Sequence, residues 1–554
     1  MVNVSNGFEL RLYSSLAKIF ANDAPSNYST NIKLSAMYGE TVSFQVSYLT
    51  DINFQRLWGQ LKVNATVGID LTLRRVRNVP GSIPKHYKTD DGYITTESGL
   101  FPDLLEPLNP TKLPLMSGEW QTIWIDAKIS SAAELCNSFS LCIESPDGEV
   151  LGTGAVTIDV VPVELPPLAI PHTRWFHTDC LANYYEVEVF SEKYWEIVEN
   201  FAAYAVQHGI NMLLMPTFTP PLDTAIGGER LTVQLVDVTV IDDKYSFGFE
   251  KLERWVKMCK KVGVVYYEIA HLFTQWGAKH APKIMGNRNG EYVRLFGWDT
   301  DAIGLEYANF LQQMLPSLTA KLAELGIAET CYFHISDEPT LENIAQYTAA
   351  RKIVEPFLKD FKIMDALTDY NFFKQGVVSI PIPAVDHIEP FLDGNVSELW
   401  TYYCCVQSYE VPNLFFMQPS YRQRVLGALL FKFNIAGFLQ WGYNFYNSVH
   451  SVYPINPFVT TDADGLFPSG DAFIVYPGEG GEPLASTRLM VAQETFNDLR
   501  AFRLLEKLAG RAFVLKLIDE GLDAPIKFNC FPQNERWILT LRQRVNEEIV
   551  KRLQ

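Results

Sequence analysis

Two adjacent carboxylates, Asp337 and Glu338, follow a short apolar stretch that reads CYFHIS and spans 331 to 336. Its composition predicts a strand, and the pair then lies at the C-terminal end of that strand. Two like charges so close together cannot both ionise cheaply, so one member is suited to hold and deliver a proton. The same residues also make a good helix start, with Asp337 as N-cap and Pro339 at an early position. Proton transfer and helix capping are both open from these residues alone.

The elements that must position this pair form an alternating series. From residue 172 onward, apolar strands alternate with amphipathic helices, a pattern typical of βα units around a parallel sheet. Eight strands of this kind predict an α/β fold with a (β/α)8 TIM-like barrel, and the acid pair follows the fourth strand. The predicted strands span 174 to 179, 211 to 216, 265 to 273, 331 to 336, 362 to 367, 384 to 390, 399 to 405 and 437 to 444.

Further candidate site residues lie at the ends of these strands, where barrel enzymes carry out their chemistry. Many of them are aromatic, and aromatic rings can serve as stacking platforms for sugars. For each residue, packing inside the barrel is the alternative interpretation. The predicted pocket residues are Trp175, His177, His271, Trp276, Tyr402, Tyr403, Trp441, Tyr443 and Asn444.

The regions on either side of the barrel have different patterns. The chain before it alternates with strand spacing and is broken by Gly, Pro and Asn, which predicts an N-terminal β-sandwich. A Pro-rich stretch, 161 to 171, predicts a stiff linker. Helical spacing after the barrel predicts a C-terminal helical extension that packs on it. The predicted domains are the sandwich over 1 to 165, the catalytic barrel over 172 to 490 and the helical segment over 491 to 554.

Composition narrows the classes of partner. The chain has 554 residues, 47% of them hydrophobic and 20% charged, and its net charge is −18, from 46 basic and 64 acidic side chains. Basic residues are scattered, which argues against a nucleic-acid partner. No run approaches the roughly 18 apolar residues that span a bilayer, so we expect no membrane insertion. The N-terminus lacks the pattern of a signal peptide and predicts a cytoplasmic protein, or an exported protein whose signal is removed. The oligomeric state stays open.

The eight cysteines do not form a recognisable metal or disulfide framework. They lie at 136, 142, 180, 259, 331, 404, 405 and 530, without CxxC spacing. We therefore predict neither a zinc site nor another metal or cofactor. Cys404 and Cys405 are adjacent, but on a strand their side chains would point to opposite faces, so we expect no redox pair.

Several motifs in a fixed order resemble glycoside hydrolase family 123 and its catalytic-domain relatives. They are ETVSFQV, FHISDEP, LWTYYCC with PNLFF, GFLQWGYNFYN, DAFIVYPG and STRLMVAQETFNDLRAFRLL, and they run from about residue 40 to 505. The resemblance implies a retaining β-N-acetylgalactosaminidase that acts on glycosphingolipid-type sugars by substrate assistance. It implies that Asp337 holds the acetamido N–H and stabilises the oxazolinium, while Glu338 is the general acid and then the base. Gln493 and Asn497 stand where family members often carry Glu or Arg, which leaves the exact sugar open.

Three other functions remain open. A conventional retaining glycosidase would use Glu338 as acid and Glu268 or Asp365 as nucleophile, and it would turn over sugars without a 2-acetamido group. A metallohydrolase would need metal ligands at the barrel mouth, for which the sequence offers His177, Asp179, His271 and His334. A non-catalytic carbohydrate-binding protein would use the sandwich as its working part.

Overall fold

The computed structural model describes residues 7–51, 57–64, 66–394 and 396–553. These residues group into two compact units. The first unit combines the described parts of Met1–Ala169, Tyr409–Lys432 and Leu484–Gln554. The second combines Ile170–Ser408, as far as it is described, with Phe433–Pro483.

The first unit begins with two β-sheets that share one hydrophobic core. One sheet includes the neighbouring strands β1-β3-β8-β5-β6 in that order, and the other has the order β2-β10-β9-β4-β7. The core includes Phe44 and Ile125 of the first sheet and Leu141 and Val156 of the second. The strands are β1 Phe8–Ser14, β2 Asn31–Tyr38, β3 Thr41–Thr50, β4 Trp58–Val63, β5 Ile69–Gly81, β6 Gly99–Pro107, β7 Leu113–Pro114, β8 Gln121–Ile129, β9 Cys136–Glu144 and β10 Val150–Glu164.

Strand β9 shows why this part of the sequence forms half-buried strands. Successive side chains of a strand point to opposite faces. Phe139, Leu141 and Ile143 are buried, whereas Ser138 and Ser140, which alternate with them, are exposed. This N-terminal region is β-rich, as its alternating sequence predicts.

The second unit is built around eight parallel strands in sequential order. Seven neighbouring pairs form ladders, in the order β20-β19-β18-β15-β12-β11-β22-β21. A single parallel bridge between Ala384 and Tyr402 nearly closes the ring. The strands and helices are β11 His172–Arg174, α1 Thr178–Tyr184, α2 Glu192–Gln207, β12 Met212–Met215, β13 Asp237–Ile241, β14 Lys244–Gly248, α3 Glu250–Val262, β15 Tyr266–Ile269, β16 Ile284–Arg288, β17 Glu291–Phe296, α4 Leu305–Glu324, β18 Cys331–Phe333, α5 Ile344–Leu358, β19 Lys362–Ala366, α6 Tyr370–Phe373, β20 Ile380–Ile382, α7 Glu389–Asp393, β21 Trp400–Tyr402, β22 Gly437–Gln440 and β23 Val475–Pro477.

Strands β13, β14, β16 and β17 form a separate four-stranded sheet in this unit. Short 3-10 helices span Ala328–Thr330, Leu341–Asn343, Val449–Ser451 and Glu479–Gly481. No helix in the described ranges is both long and apolar enough to cross a bilayer.

The first unit is completed by chain segments that return to it after residue 408. Ala485 pairs with Leu105 of β6, and the hydroxyl of Ser486 accepts a hydrogen bond from the N–H of Leu489 at the start of the longest helix. These elements are α8 Tyr421–Arg424, α9 Leu426–Lys432, β24 Pro483–Ser486, α10 Thr487–Ala509, α11 Arg511–Asp519 and α12 Glu535–Leu553.

The predicted domain ranges remain predictions, and the compact units cross them. The division after the first strands falls between Ala169 and Ile170, and helix α10 begins at Thr487 and belongs to the first unit. Residues 1 and 554, the outer ends of the predicted ranges, lie outside the described residues.

The barrel strands are shorter than predicted, and one prediction is wrong. The sixth strand was predicted over 384 to 390, but it spans Ile380–Ile382. Prolines at 381 and 383 weakened its strand signal, because proline cannot donate to a ladder. The first strand ends at Arg174, so Asp179 lies in helix α1 instead of on the strand. Buried apolar residues continue beyond several of these short strands, such as Leu272 and Phe273 after β15 and Ile335 after β18, and they lengthen the apolar signal past the ladder.

Candidate active site

Asp337 and Glu338 lie in the loop that follows strand β18, four and five residues beyond its end. They do not start a helix. The next helical turn begins at Leu341, and its N-cap is Thr340, whose side chain and backbone exchange hydrogen bonds with Asn343. The helix-capping interpretation of the acid pair is therefore wrong, and both carboxyl groups are available for other roles.

A neighbouring loop holds the backbone of the acid pair. The N–H of Trp276 donates to the carbonyl of Asp337 at 2.8 Å, and the N–H of Ala278 donates to the hydroxyl of Ser336 at 3.1 Å. Glu338 has φ of 45° and Trp276 has φ of 60°, both in the left-handed region. Non-glycine residues persist there only when the surrounding structure enforces it, as often happens at functional sites.

Both acids line a cavity of about 210 Å³ at the C-terminal ends of the barrel strands. Its polar side chains include Asp223 and Gln275 besides the two acids, and its walls are mostly aromatic or apolar. A concave, largely apolar site with a few convergent polar groups is the usual form of a small-ligand site. The full lining is Trp175, Leu222, Asp223, Gln275, Trp276, Asp337, Glu338, Ala366, Tyr402, Cys404, Cys405, Val406, Leu439, Trp441, Val449, His450 and Phe467.

A wider groove between α2 and α3 is a weaker candidate. Its volume is about 790 Å³, but charged side chains dominate its lining. Ion pairs already join several of them, such as Arg254 with Glu192 and Lys261 with Glu199. The groove lacks the combination of half-buried, adjacent acids and aromatic walls that the smaller cavity has.

Glu338 has one hydrogen-bond partner that fixes its orientation. The hydroxyl of Tyr402, at the end of β21, donates to Oε1 of Glu338 at 2.5 Å. Burial raises the pKa of Glu338, whereas the hydrogen bond from Tyr402 acts in the opposite direction. Because Tyr402 occupies Oε1, a proton on Glu338 is directed to Oε2.

Asp337 is the more strongly perturbed acid of the pair. Burial raises its pKa well above the usual range, and the negative charge of Glu338 acts in the same direction. Within the described part of the chain, no donor reaches its carboxyl group. A ligand N–H would therefore supply the interaction that Asp337 lacks.

A buried charge cluster lies beneath the acid pair. Nε2 of His334 contacts Oε1 of Glu268 at 2.7 Å, and Nδ1 of His334 lies 3.4 Å from Oδ1 of Asp365. All three side chains are fully buried. Burial acts to lower the pKa of His334, but the two carboxylates outweigh it and raise this pKa to about 9. His334 is therefore a cation at neutral pH, and its charge acts to lower the pKa of Asp337.

Glu268 and Asp365, the two alternative nucleophiles, have all their contacts within this cluster and its surroundings. Besides His334, Glu268 accepts hydrogen bonds from Nε1 of Trp175 at 2.7 Å and from the hydroxyl of Thr173 at 2.5 Å. Asp365 accepts from the hydroxyl of Tyr347 and from the N–H of Ile335. Neither carboxyl group lines the cavity. A nucleophile must reach the anomeric carbon, so this geometry disfavours Glu268 and Asp365 in that role.

Four of the nine predicted pocket residues line the cavity with the acid pair. Trp175 forms part of the buried wall, and its indole orientation is fixed by Glu268. Trp276 is 40% exposed at the mouth. Nε1 of Trp441 donates to Asp471 at 2.8 Å, which holds that ring, and Tyr402 contacts Glu338.

The other five do not line the cavity, and we correct their placement. All five are buried, and packing decided their orientation. His271 stacks on His334, with ring centroids 4.2 Å apart. His177 contacts Arg230, and Asn444 exchanges hydrogen bonds with the backbone of His177. The hydroxyl of Tyr403 accepts from Arg174, and that of Tyr443 donates to the carbonyl of Phe201.

The sequence reasoning missed several polar residues of the cavity. Asp223 is the most notable, because it sits in a loop with no motif around it. Its carboxylate accepts from the N–H of His450 at 2.9 Å, and its own N–H donates to Gln275 at 2.6 Å. These contacts join three loops that are far apart in sequence, so no local signal could have identified them.

The proposed metal ligands separate into two groups with other partners. Arg230 lies between the side chains of His177 and Asp179, with a 2.6 Å ion pair to Asp179. A guanidinium there already provides the positive charge that a metal would bring. The other two histidines, His271 and His334, stack on each other. In the described ranges, no group of three His, Cys, Asp or Glu side chains has the arrangement of a metal site.

Comparison with known proteins decides the family. The model of the glycoside hydrolase 123 catalytic domain matches residues 175–505, which is more than half of the chain. The chain belongs to glycoside hydrolase family 123. It is therefore a glycoside hydrolase, as the motifs predict. No curated protein matches it in sequence.

A solved structure supports the same fold. A family 123 glycoside hydrolase from Clostridium perfringens, studied for glycolipid glycan hydrolysis, is 14% identical to this family 123 chain, with a TM-score of 0.75 and 98% coverage of both chains. A β-glucuronidase from Parabacteroides merdae is 9% identical, with a TM-score of 0.28 and coverage of 89% of this chain and 53% of that one. An endo-β-1,4-mannanase from Thermotoga petrophila is 11% identical, with a TM-score of 0.34 and coverage of 61% and 77%.

Proposed function

We propose that this enzyme removes terminal β-linked N-acetylgalactosamine from glycoconjugates by a retaining, substrate-assisted mechanism. The observation that carries the proposal is the adjacent pair Asp337 and Glu338 in one cavity, with the other nearby acids, Glu268 and Asp365, bound to His334. Neighbouring carboxyl groups are poorly suited to opposite faces of a sugar, whereas a conventional retaining enzyme needs two acids roughly 5 Å apart across it. An internal nucleophile on the substrate removes that requirement.

In the first step, the carbonyl oxygen of the 2-acetamido group attacks the anomeric carbon while the glycosidic bond breaks. Glu338 transfers its proton from Oε2 to the departing oxygen, so the aglycone leaves as an alcohol. Asp337 accepts the acetamido N–H and stabilises the positive charge of the bicyclic oxazolinium. Before binding, Asp337 lacks such a donor, so the substrate supplies the contact that favours its ionised form.

In the second step, water attacks the anomeric carbon from the face that the aglycone left. Glu338, now a carboxylate, removes a proton from that water, and the acetamido group is released unchanged. Two inversions give retention of configuration. Tyr402 keeps the Glu338 carboxyl group in place through both steps by its hydrogen bond to Oε1.

The cavity suits a single sugar unit with an apolar face. Trp175 and Trp441 in its walls offer rings for stacking, and Trp276 at the mouth is placed for an aglycone. We assign the barrel to the (β/α)8 TIM-like class on its sequential parallel strand order. The glycolipid glycans on which the Clostridium perfringens enzyme was studied make glycolipids a reasonable first class of natural substrate. A cytoplasmic location stays a prediction.

Initial rates on matched aryl glycosides test the proposal. The series contains β-N-acetylgalactosaminide, β-N-acetylglucosaminide, β-galactoside and β-glucoside, and only the first two carry the acetamido group that the mechanism consumes. We expect turnover of the β-N-acetylgalactosaminide and inhibition by its thiazoline analogue, which mimics the bicyclic intermediate. Turnover of the β-galactoside or β-glucoside would instead favour a protein nucleophile.

A further inference from the structure

Cys404 and Cys405 are two adjacent thiols that the proposed reaction does not use. Strand alternation would place them on opposite faces, but strand β21 ends at Tyr402, before either cysteine. Both belong to the turn that follows, and both line the cavity that contains Glu338. The end of the strand thus allows two neighbouring side chains to face the same space.

The two thiols are also in contact with each other. The Cys404 thiol is hydrogen-bonded to that of Cys405, and both residues are half-buried. The side chain of Gln407 accepts a hydrogen bond from the N–H of Cys404 at 2.9 Å, which holds the turn. The pair is therefore arranged before any ligand arrives, and a bidentate ligand has little ordering entropy to overcome.

The electrostatic surroundings make this pair unreactive toward reagents that need a thiolate. Its hydrogen bond to Cys405 and its burial raise the pKa of the Cys404 thiol, and the charge of Glu338 acts in the same direction. Because the thiolate is the attacking species, we expect slow alkylation at neutral pH. A reagent that bonds to both sulfurs at once gains from chelation and does not depend on one thiolate.

We propose that Cys404 and Cys405 form a chelating site for trivalent arsenic compounds in the wall of the cavity. With a hydrated arylarsenical, two As–S bonds form and two As–O bonds break. Each thiol proton leaves with one arsenic-bound hydroxide as water, so no oxidant or reductant is needed. The aryl group then occupies space beside Glu338, and the sugar is excluded.

Mass spectrometry of the intact full-length protein treated with phenylarsine oxide tests the site directly. We expect one adduct per chain in the wild type and its loss in both Cys404→Ser and Cys405→Ser, since a single thiol gives an arsenical that water displaces. Cys136→Ser and Cys530→Ser are matched controls, because these cysteines are exposed in the first unit, and their variants should keep the adduct.

Two results would overturn the site: a wild type without an adduct, or an adduct that persists in either Cys404→Ser or Cys405→Ser. Circular dichroism shows whether each variant is folded. If Cys405→Ser does not fold, Cys405→Ala provides a second substitution at that position. Neither the adduct nor its loss depends on which sugar the enzyme cleaves.

An activity measurement then tests whether the dithiol site lies beside Glu338. This test rests on the proposed function, because it uses the proposed substrate. Phenylarsine oxide should lower the initial rate on the β-N-acetylgalactosaminide by at least about tenfold, the scale of losing substrate access. The dithiol 2,3-dimercaptopropanol should restore the rate, whereas an equal thiol concentration of a monothiol should not. An adduct without inhibition would contradict the placement beside Glu338.

An untreated enzyme that turns over none of the glycosides would count against the proposed sugar alone, since the adduct still reports the dithiol site.

Discussion

In the proposed mechanism, the two adjacent carboxyl groups of Asp337 and Glu338 do the chemistry, and their surroundings differ. Glu338 accepts a hydrogen bond from Tyr402, whereas no donor among the described residues reaches the half-buried carboxyl group of Asp337. The proposed mechanism uses that difference to give neighbouring residues of similar chemistry two roles, one in proton transfer and one in stabilising positive charge.

Replacing each acid by its amide should separate the two roles. Glu338→Gln removes the proton donor, so we expect a loss of about 10²- to 10⁴-fold on substrates with poor leaving groups and a much smaller loss on activated aryl glycosides. Asp337→Asn removes the charge that stabilises the oxazolinium, so both substrates should slow by a similar factor. The measurement is kcat/KM along a series of leaving-group pKa values. Equal losses on both substrates for Glu338→Gln would contradict its acid role.

Tyr402→Phe tests the hydrogen bond that orients Glu338. The donor to Oε1 favours the ionised carboxylate, so its removal should raise the pKa of Glu338 and move the basic limb of the pH–rate profile to higher pH. We also expect kcat to fall by roughly tenfold or more, because the carboxyl group loses its fixed orientation. Tyr403→Phe is the matched control, since that hydroxyl contacts Arg174 away from the cavity. A similar pH shift in both variants would exclude a specific role for Tyr402.

At the scale of elements, the strands carry a buried charge cluster to a point beneath the acid pair. Glu268 comes from β15, Asp365 from β19, and His334 follows β18 between them. Parallel neighbours in the sheet bring these three side chains together, and the His334 ring contacts both carboxyl groups. The loops beyond the strands then set the backbone of the acids themselves.

The raised pKa of His334 makes stability depend on pH. The pKa rises from 6.5 to about 9 on folding, so the stabilisation is fully present below pH 6.5 and is lost as pH rises through 9. The protonation of His334 contributes at most about 3 kcal/mol to the free energy of unfolding. Glu268→Gln removes one of the carboxylates that raise this pKa, so the decline between pH 6.5 and 9 should become shallower. Denaturant unfolding at several pH values measures this pH dependence of the free energy of unfolding.

A surface substitution controls for the loss of one negative charge. Glu329 is exposed in the 3-10 helix Ala328–Thr330, so Glu329→Gln should leave the pH dependence of stability unchanged. If Glu268→Gln and Glu329→Gln reduce the pH dependence of stability equally, the change in net charge is responsible and not His334.

Gly277 tests how the loop beside the acid pair is held. Its φ is +113°, and a Cβ there would lie 2.4 Å from Nδ2 of Asn343. Gly277→Ala therefore adds a steric clash to backbone strain, and we expect a loss of about 2 to 4 kcal/mol in stability together with a raised KM, because Trp276 is displaced. Gly326→Ala is the matched control. Its φ is +67° with no atom within 4 Å of the added Cβ among described residues, so only about 1 kcal/mol should be lost.

At the scale of the whole molecule, the chain is not divided into consecutive domains. The first unit takes segments from the beginning, the later middle and the end of the sequence. Buried ion pairs join these segments within it. Arg542 of α12 contacts Glu40 and Asp498, and Arg488 of α10 forms a bidentate contact with Asp103 of β6.

Arg488→Ala tests how strongly the last segment stabilises the first unit. Asp103 is 1% exposed, so removing the guanidinium leaves a buried carboxylate without its main counter-charge, and we expect a loss of about 3 to 5 kcal/mol. The double variant Arg488→Ala with Asp103→Leu should recover part of that lost stability, since both charges are then absent. Arg544→Ala is the surface control, because its ion pair with Glu520 is exposed, and it should change stability by under about 0.5 kcal/mol. Additive effects of Arg488→Ala and Asp103→Leu would contradict direct coupling.

Residue types and spacing were sufficient to predict the glycoside hydrolase family and the order of the barrel strands. Side-chain alternation specifies the β-rich start, since each strand must bury one face. Alternating strands and helices specify the parallel barrel, and the acid pair after its fourth strand is visible in the residues CYFHISDEP. These features depend on local periodicity and residue type, which a single chain displays directly.

Tertiary structure alone decided which side chains share the cavity. Tyr443 and Asn444 sit at a strand end as Trp441 does, yet packing turned them into the core. Asp223 and His450 meet only because two distant loops converge. Cys404 and Cys405 share one wall because strand β21 ends at Tyr402, three residues before its predicted end. Each outcome depends on where a ladder stops and which loops are buried. Those are consequences of long-range packing, which local sequence patterns do not encode.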